Sequence, residues 1–230
     1  RLSGCSSFPS ITARCRSEPM IELEHAGVHI EGMPMLAPTT TRVRRGESVA
    51  LRGGNGSGKT TLLRLIAGKL APTSGAVRVA GEAPNDRSST FRRVLAGGLG
   101  LPPFARDLTL REHATPIGTT WGRGLREAKA HAEERLSELG LDALAKRFPH
   151  ELSSGQTQLA GLALIFSRPF DVLLLDEPEQ RLDATRLDRV VCALQRVRQS
   201  GATLLIATHS DRLAAAVTDR SILLAEPEPM

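Results

Sequence analysis

The chain has 230 residues, enough for one α/β domain with a sizeable core and room for a subordinate lobe, but short for two independent domains. Apolar residues make up 40% and charged residues 24%, which excludes a disordered or fibrous chain, while 3% aromatics and no Tyr argue against a nucleic-acid platform of stacked rings. The net charge is +5, and the Arg residues that carry most of it are spread along the chain, so Arg44-Arg45, Arg92-Arg93, Arg186, Arg189, Arg196 and Arg198 read as solvated surface.

Cys5, Cys15 and Cys192 form no C-x-x-C pair and have no accompanying His pattern, so neither a zinc site nor a disulfide framework is expected. No apolar run reaches the roughly 18 to 20 residues that span a bilayer. Residues 1–19 are rich in Ser and Arg with one acid, Glu18, and read as a disordered tail or a start misassigned upstream of Met20. From Met20, alternation predicts short strands at Ile21-Leu23, Val28-Ile30 and Thr41-Val43, forming a small antiparallel layer.

Ser48 to Arg52 is a buried strand, and Gly53 to Thr60 fits G-x-x-x-x-G-K-[ST], the P-loop, whose backbone N–H groups surround the phosphates of a nucleoside triphosphate. Gly53, Gly54, Asn55, Gly56, Ser57, Gly58, Lys59, Thr60 and Thr61 are therefore candidate ATP-binding residues. Lys59 brings a point charge to the β and γ phosphates, and the Thr60 hydroxyl suits Mg²⁺. Thr60 to Ala67 is the helix behind the loop, where the positive end of the helix dipole adds to the anion site.

Ala76 to Gly81 alternates as a strand, Glu82 to Thr90 is polar loop, and Leu95 to Pro103 begins as a strand and becomes a loop able to hinge. Leu125, Ala128, Ala132, Leu136 and Leu139 fall on one face of a helix that Gly140 ends, and Leu141 to Phe148 reads as a second short helix. Together they predict a helical lobe over approximately 105–165. Leu152-Ser153-Ser154-Gly155-Gln156 opens a long helix to about Ser167. Asp171 to Leu175 is a continuous apolar run ending in Asp176 and Glu177, as in a parallel strand covered on both faces. A helix over Ala184 to Arg198 leads to a second such strand, Thr203 to Ala207, which ends at Thr208-His209-Ser210; a last helix and the strand Ser221 to Ala225 follow.

Ligands in an open parallel sheet bind beyond the carboxyl ends of its strands, so the P-loop, Asp176-Glu177 and His209 should meet around one triphosphate. Asp176 would hold Mg²⁺ opposite Thr60, Glu177 would orient and polarise the attacking water, and His209 would donate to the γ-phosphate.

These motifs, in this order, resemble those of the ATP-binding subunit of an ABC transporter over roughly Met20 to Ala225. Gly53 to Thr60 resembles its Walker A loop, Leu152 to Gln156 its LSGGQ signature, Val172 to Pro178 its Walker B strand and glutamate, Asp183 its D-loop aspartate and His209 its switch histidine. The resemblance implies an α/β P-loop NTPase with a mostly parallel core sheet, a small antiparallel layer on the N-terminal side and the inserted helical lobe, spanning 20–230. It implies ATP and Mg²⁺ as ligands, and a head-to-tail homodimer or heterodimer in which Ser153, Gly155, Gln156 and Asp183 complete a nucleotide site in trans. A separate integral membrane permease would be driven by a cytoplasmic subunit, peripheral on the inner face of the cell membrane, with no direct membrane span and no nucleic-acid partner expected. The helix N-terminus at Ser153 agrees with this: it is a second anion site in a chain whose P-loop already serves one set of phosphates.

The chain departs from the family pattern at Ser154, at Ile30 where an aromatic usually stacks on adenine, and near Pro102-Pro103, where the Q-loop glutamine is missing. A slow or specialised ATPase is expected. Two other readings stay open: a non-transport ABC ATPase acting on nucleic acid or ribosomes, which commonly has tandem cassettes or a coiled-coil insertion, and a slow regulatory nucleotide-binding subunit.

Overall fold

A computed structural model describes residues 18–227. The expected tail therefore lies almost wholly outside the described residues, as do Cys5 and Cys15.

β1 (Pro19–Ile30) and β2 (Met33–Arg44) form one long antiparallel hairpin where alternation predicts three short strands. The reason lies in shifts of register between Leu23 and Ala26 and between Ala26 and Val28. Each shift interrupts the period of two, yet Ile21, Leu23, Ala26 and Val28 all end at most 1% exposed. β3 (Ser48–Arg52) leads through the glycine-rich loop into α1 (Lys59–Ile66), and β4 (Ser74–Val79) pairs with β1, giving the expected antiparallel layer in the order β2-β1-β4.

α2 (Ser89–Val94) lies at the end of the stretch read as polar loop. Only Phe91 of it is buried, so the sequence carries no apolar periodicity there; the helix depends on Ser88, whose hydroxyl caps the Phe91 N–H. β5 (Leu95–Gly98), α3 (Leu110–Thr120) and α4 (Leu125–Glu138) follow. Of the face expected on α4, Ala128, Ala132 and Leu136 are buried, as is Leu139 just beyond it, whereas Leu125, its first residue, is 60% exposed.

The expected helix over Leu141 to Phe148 is instead a single 3₁₀ turn at Asp142–Leu144. Leu141 and Ala145 are buried at helical spacing, but the carbonyls of Ala145 and Arg147 accept from the N–H groups of Arg111 and Leu110 at 2.9 and 3.1 Å. The start of α3 takes the acceptors that a helix would need, and Pro149 disfavours helical backbone just before it.

α5 (Ser154–Phe166), β6 (Val172–Asp176), α6 (Ala184–Gln199), β7 (Thr203–Ala207), α7 (Asp211–Val217) and β8 (Arg220–Leu223) complete the chain. The main sheet has the order β5-β6-β7-β3-β8, with every pairing parallel. Val172, Leu173, Leu174 and Leu175 alternate between two apolar clusters, one on each face, and are at most 1% exposed. Burying each such side chain is worth about 1.5–3 kcal/mol, which fixes β6 and hence the two acids at its end.

Several arginines read as solvated surface are braces. Arg186 pairs with Asp183 at 2.7 Å, Arg189 donates to the Gly140 carbonyl at 3.1 Å, Arg196 reaches Glu138 at 3.5 Å and Arg198 pairs with Asp219. Arg189, Arg196 and Arg198 tie α6 to its neighbours, which spacing along one helix did not reveal, whereas Arg186 pairs with the residue that caps its own helix.

Candidate active site

α1 begins without a side-chain cap. Its N-cap residue is Gly58 in left-handed backbone, φ 88°, and a Cβ there would lie 2.8 Å from the Met35 carbonyl oxygen. The hairpin thus presses against the loop at a point only glycine tolerates, and the first N–H groups of α1 have no side-chain acceptor. Lys59 is 7% exposed and donates through Nζ to the carbonyls of Gly53 and Gly54, both at 2.9 Å. The Ser57 hydroxyl is buried without a hydrogen-bond partner among the described residues. Uncapped donors, a cation folded onto its own loop and an orphaned hydroxyl make a cradle that fits phosphate, with Asn55 and Gly56 exposed at its rim and Thr61 on the first turn.

Thr60 Oγ1 donates to Asp176 Oδ2 at 2.7 Å, so the start of α1 and the end of β6 meet. A hydroxyl and a carboxylate at this separation are hard oxygen donors of the kind Mg²⁺ takes. Glu177 follows with φ 48°, a left-handed conformation that costs a non-glycine residue about 1–3 kcal/mol. The strain is held by the Glu177 N–H bond to the Ala207 carbonyl at 2.8 Å and by the Gln180 N–H bond to the Glu177 carbonyl at 3.0 Å. The consequence is direction: Glu177 Oε1 stands 3.4 Å from His209 Nε2, and both side chains are open to solvent. Gln180 Nε2 donates to the other Glu177 oxygen at 3.3 Å.

Beside these acids is a cavity of about 220 Å³ whose walls include Gly98, Pro102, Gln158, Glu177 and Gln180. Residues of 98–102 thus line a cavity with Asp176 and Glu177, and the glutamines in its wall come from α5 and from the turn after β6.

Ser153, Gly155, Gln156 and Asp183 occupy a second location and make no hydrogen bond to 53–61 among the described residues. Ser153 caps α5: its Oγ accepts from the Gln156 N–H at 3.4 Å, and Gln156 Oε1 accepts from the Ser153 N–H at 2.8 Å. A Cβ on Gly155 would lie 2.8 Å from the Arg181 carbonyl oxygen, so glycine lets the turn after β6 approach the start of α5. Asp183 caps α6, accepting from the Arg186 N–H at 2.8 Å. Glu179 and Gln180, which sequence reasoning passed over, also belong to this turn, and their only signal was nearness to Asp176 and Glu177.

Residues 36–180 match the family model described as ABC transporter. The chain belongs to the ABC transporter family. This ABC ATP-binding subunit is 37% identical over 191 residues to the thiamine import ATP-binding protein ThiQ of Salmonella choleraesuis strain SC-B67, covering 81% of this chain and 80% of the relative. It is 36% identical over 199 residues to the cobalt import ATP-binding protein CbiO of Rhodobacter capsulatus, covering 84% and 70%. A solved structure described as dimeric MJ0796, a bacterial ABC transporter cassette, superposes with a TM-score of 0.80 at 25% identity, covering 89% of this chain and 94% of its own. The ABC subunit binds and hydrolyses ATP, in a P-loop NTPase fold with a parallel core sheet and a small antiparallel sheet.

Proposed function

We propose that this ABC subunit hydrolyses Mg·ATP at a site completed by a second ATP-binding subunit, identical or paralogous, and that closing and reopening of the pair drives a separate integral membrane permease. The reading treats 20–230 as one ATP-binding domain with the helical lobe at 105–165, peripheral on the cytoplasmic face of the membrane. Among the described residues no helix is long and apolar enough to cross a bilayer, so the membrane passage is assigned to the permease.

In this reading the N–H groups of 53–61 and the Lys59 ammonium bind the β and γ phosphates. Thr60 and Asp176 would hold Mg²⁺, which would supply positive charge to neutralise the phosphates. Glu177 orients the attacking water, and the strained backbone at this residue keeps its carboxylate facing His209. His209 donates to the γ-phosphate. Ser153, Gly155, Gln156 and Asp183 act on the nucleotide held by the partner subunit.

The observation that carries the reading is the Thr60–Asp176 hydrogen bond at 2.7 Å, which joins the phosphate cradle to the acidic strand end with no other side chain between them. ATP turnover by the purified chain should vanish on chelation of Mg²⁺; turnover indifferent to chelation would contradict the metal assignment. Co-purification from membranes with a multi-spanning protein supports transport, and retention on RNA or ribosomes instead would contradict it. The relatives are named for different cargoes, thiamine and cobalt, which fits a cargo choice made by the permease.

A further inference from the structure

The His209 segment leaves β7 at Ala207 and has no strand or helix of its own until Ser210 caps α7. Arg52 donates to the Thr208 carbonyl at 3.2 Å, and the Thr208 N–H reaches the Leu51 carbonyl at 3.4 Å, so β3 steadies the residue before the histidine. The N–H of His209 itself goes elsewhere. It donates to Glu179 Oε1 at 2.9 Å, and the same oxygen accepts from the Ser210 N–H at 3.2 Å and from the Thr208 hydroxyl. Three consecutive residues therefore hang on one carboxylate oxygen, and hydrogen bonds to an ionised acceptor are roughly twice as strong as neutral ones.

Glu179 lies in the turn that begins at Glu177, separated from it by Pro178 alone. One short stretch of backbone thus carries the carboxylate that faces His209 and the carboxylate that fixes the His209 backbone. Packing does not account for the choice of residue. Glu179 Oε2 is buried without a hydrogen-bond partner among the described residues, a cost that an apolar or shorter side chain would avoid.

We propose that Glu179 is a positioning residue that holds the His209 loop in register with Glu177. The inference rests on the assignment of Glu177 and His209 to hydrolysis. It acts through His209: when the turn after β6 moves, Glu179 carries the loop with it, so the 3.4 Å spacing between Glu177 and His209 is kept.

The test is a double-mutant cycle on basal ATP turnover by the full chain, with wild type, Glu179→Ala, Glu179→Gln, His209→Ala and the Glu179→Ala, His209→Ala pair. Glu179→Ala should lower kcat about 100-fold, with KM for ATP within about 3-fold of wild type, since a misplaced catalytic group costs turnover rather than binding. Glu179→Gln keeps an acceptor oxygen and should restore kcat to within about 5-fold of wild type. The double variant should be no slower than His209→Ala alone. Multiplied losses in the double variant, or a wild-type kcat for Glu179→Ala, would overturn the inference while leaving the hydrolysis site standing. A wild-type kcat for His209→Ala would overturn the role of His209 and the inference with it. Should Glu179→Ala not fold, Glu179→Thr, too short to reach the loop, takes its place in the cycle with the same expected outcome.

Discussion

The two helix N-termini that carry the nucleotide motifs are built in opposite ways. α1 opens on Gly58 with no side-chain cap hydrogen bond among the described residues. α5 opens on Ser153 inside a complete capping box, in which Ser153 Oγ takes the Gln156 N–H and Gln156 Oε1 takes the Ser153 N–H. An uncapped terminus is left open where the chain also supplies Lys59, a buried cation matched to phosphate. A capped terminus is stable by itself and gives up its internal bonds only to a better acceptor. On the proposed reading, the first is a site each subunit owns and the second is a site held ready for the other subunit's nucleotide.

Breaking the first terminus should have the largest effect. Lys59→Ala removes the side chain that bridges the Gly53 and Gly54 carbonyls and should weaken ATP binding by about 100-fold in titration calorimetry, near the 1.5–3 kcal/mol of a charge-assisted bond. Crowding the second terminus comes next. Gly155→Ala would place a methyl 2.8 Å from the Arg181 carbonyl and should cost about 1–3 kcal/mol in chemical denaturation, with turnover falling while ATP affinity stays close to wild type. Ser153→Ala sharpens the contrast more gently. Loss of the cap should cost about 1 kcal/mol of stability without changing binding at the P-loop, measured as a shift in denaturation midpoint. The smallest effect belongs to Gln180→Ala, which deletes the 3.3 Å bond to Glu177 and should lower kcat by about 5-fold, the equivalent of about 1 kcal/mol.

Much of this contrast was legible in the residues. Glycines beside a Lys-Thr pair, apolar runs ending in acids, and a helix start at Ser153 each follow from local chemistry, and the structure brings Thr60 to Asp176 and Glu177 to His209. What could not be read depends on distant partners. The missed helix at Ser89–Val94 buries one residue, and the expected helix after Leu141 loses its carbonyls to α3, a segment thirty-odd residues away in sequence. Leu125 fits the apolar period of α4, yet it stands at the helix end beyond the packing contact. Glu179 carried no signal beyond its nearness to Asp176 and Glu177, and gains meaning only when the segment after β7 delivers Thr208, His209 and Ser210 to it.

The central claim is that hydrolysis at Glu177 takes place in a site two subunits share, and Glu177→Gln tests it most directly. The variant keeps the size and hydrogen-bonding reach of the side chain while removing the charge that polarises water. Light scattering after size-exclusion chromatography, with Mg·ATP in the buffer, should show this variant as a stable dimer with bound ATP and at least about a 100-fold loss of turnover. A Glu177→Gln protein that stays monomeric with ATP bound, or that hydrolyses ATP at the wild-type rate, would contradict the account.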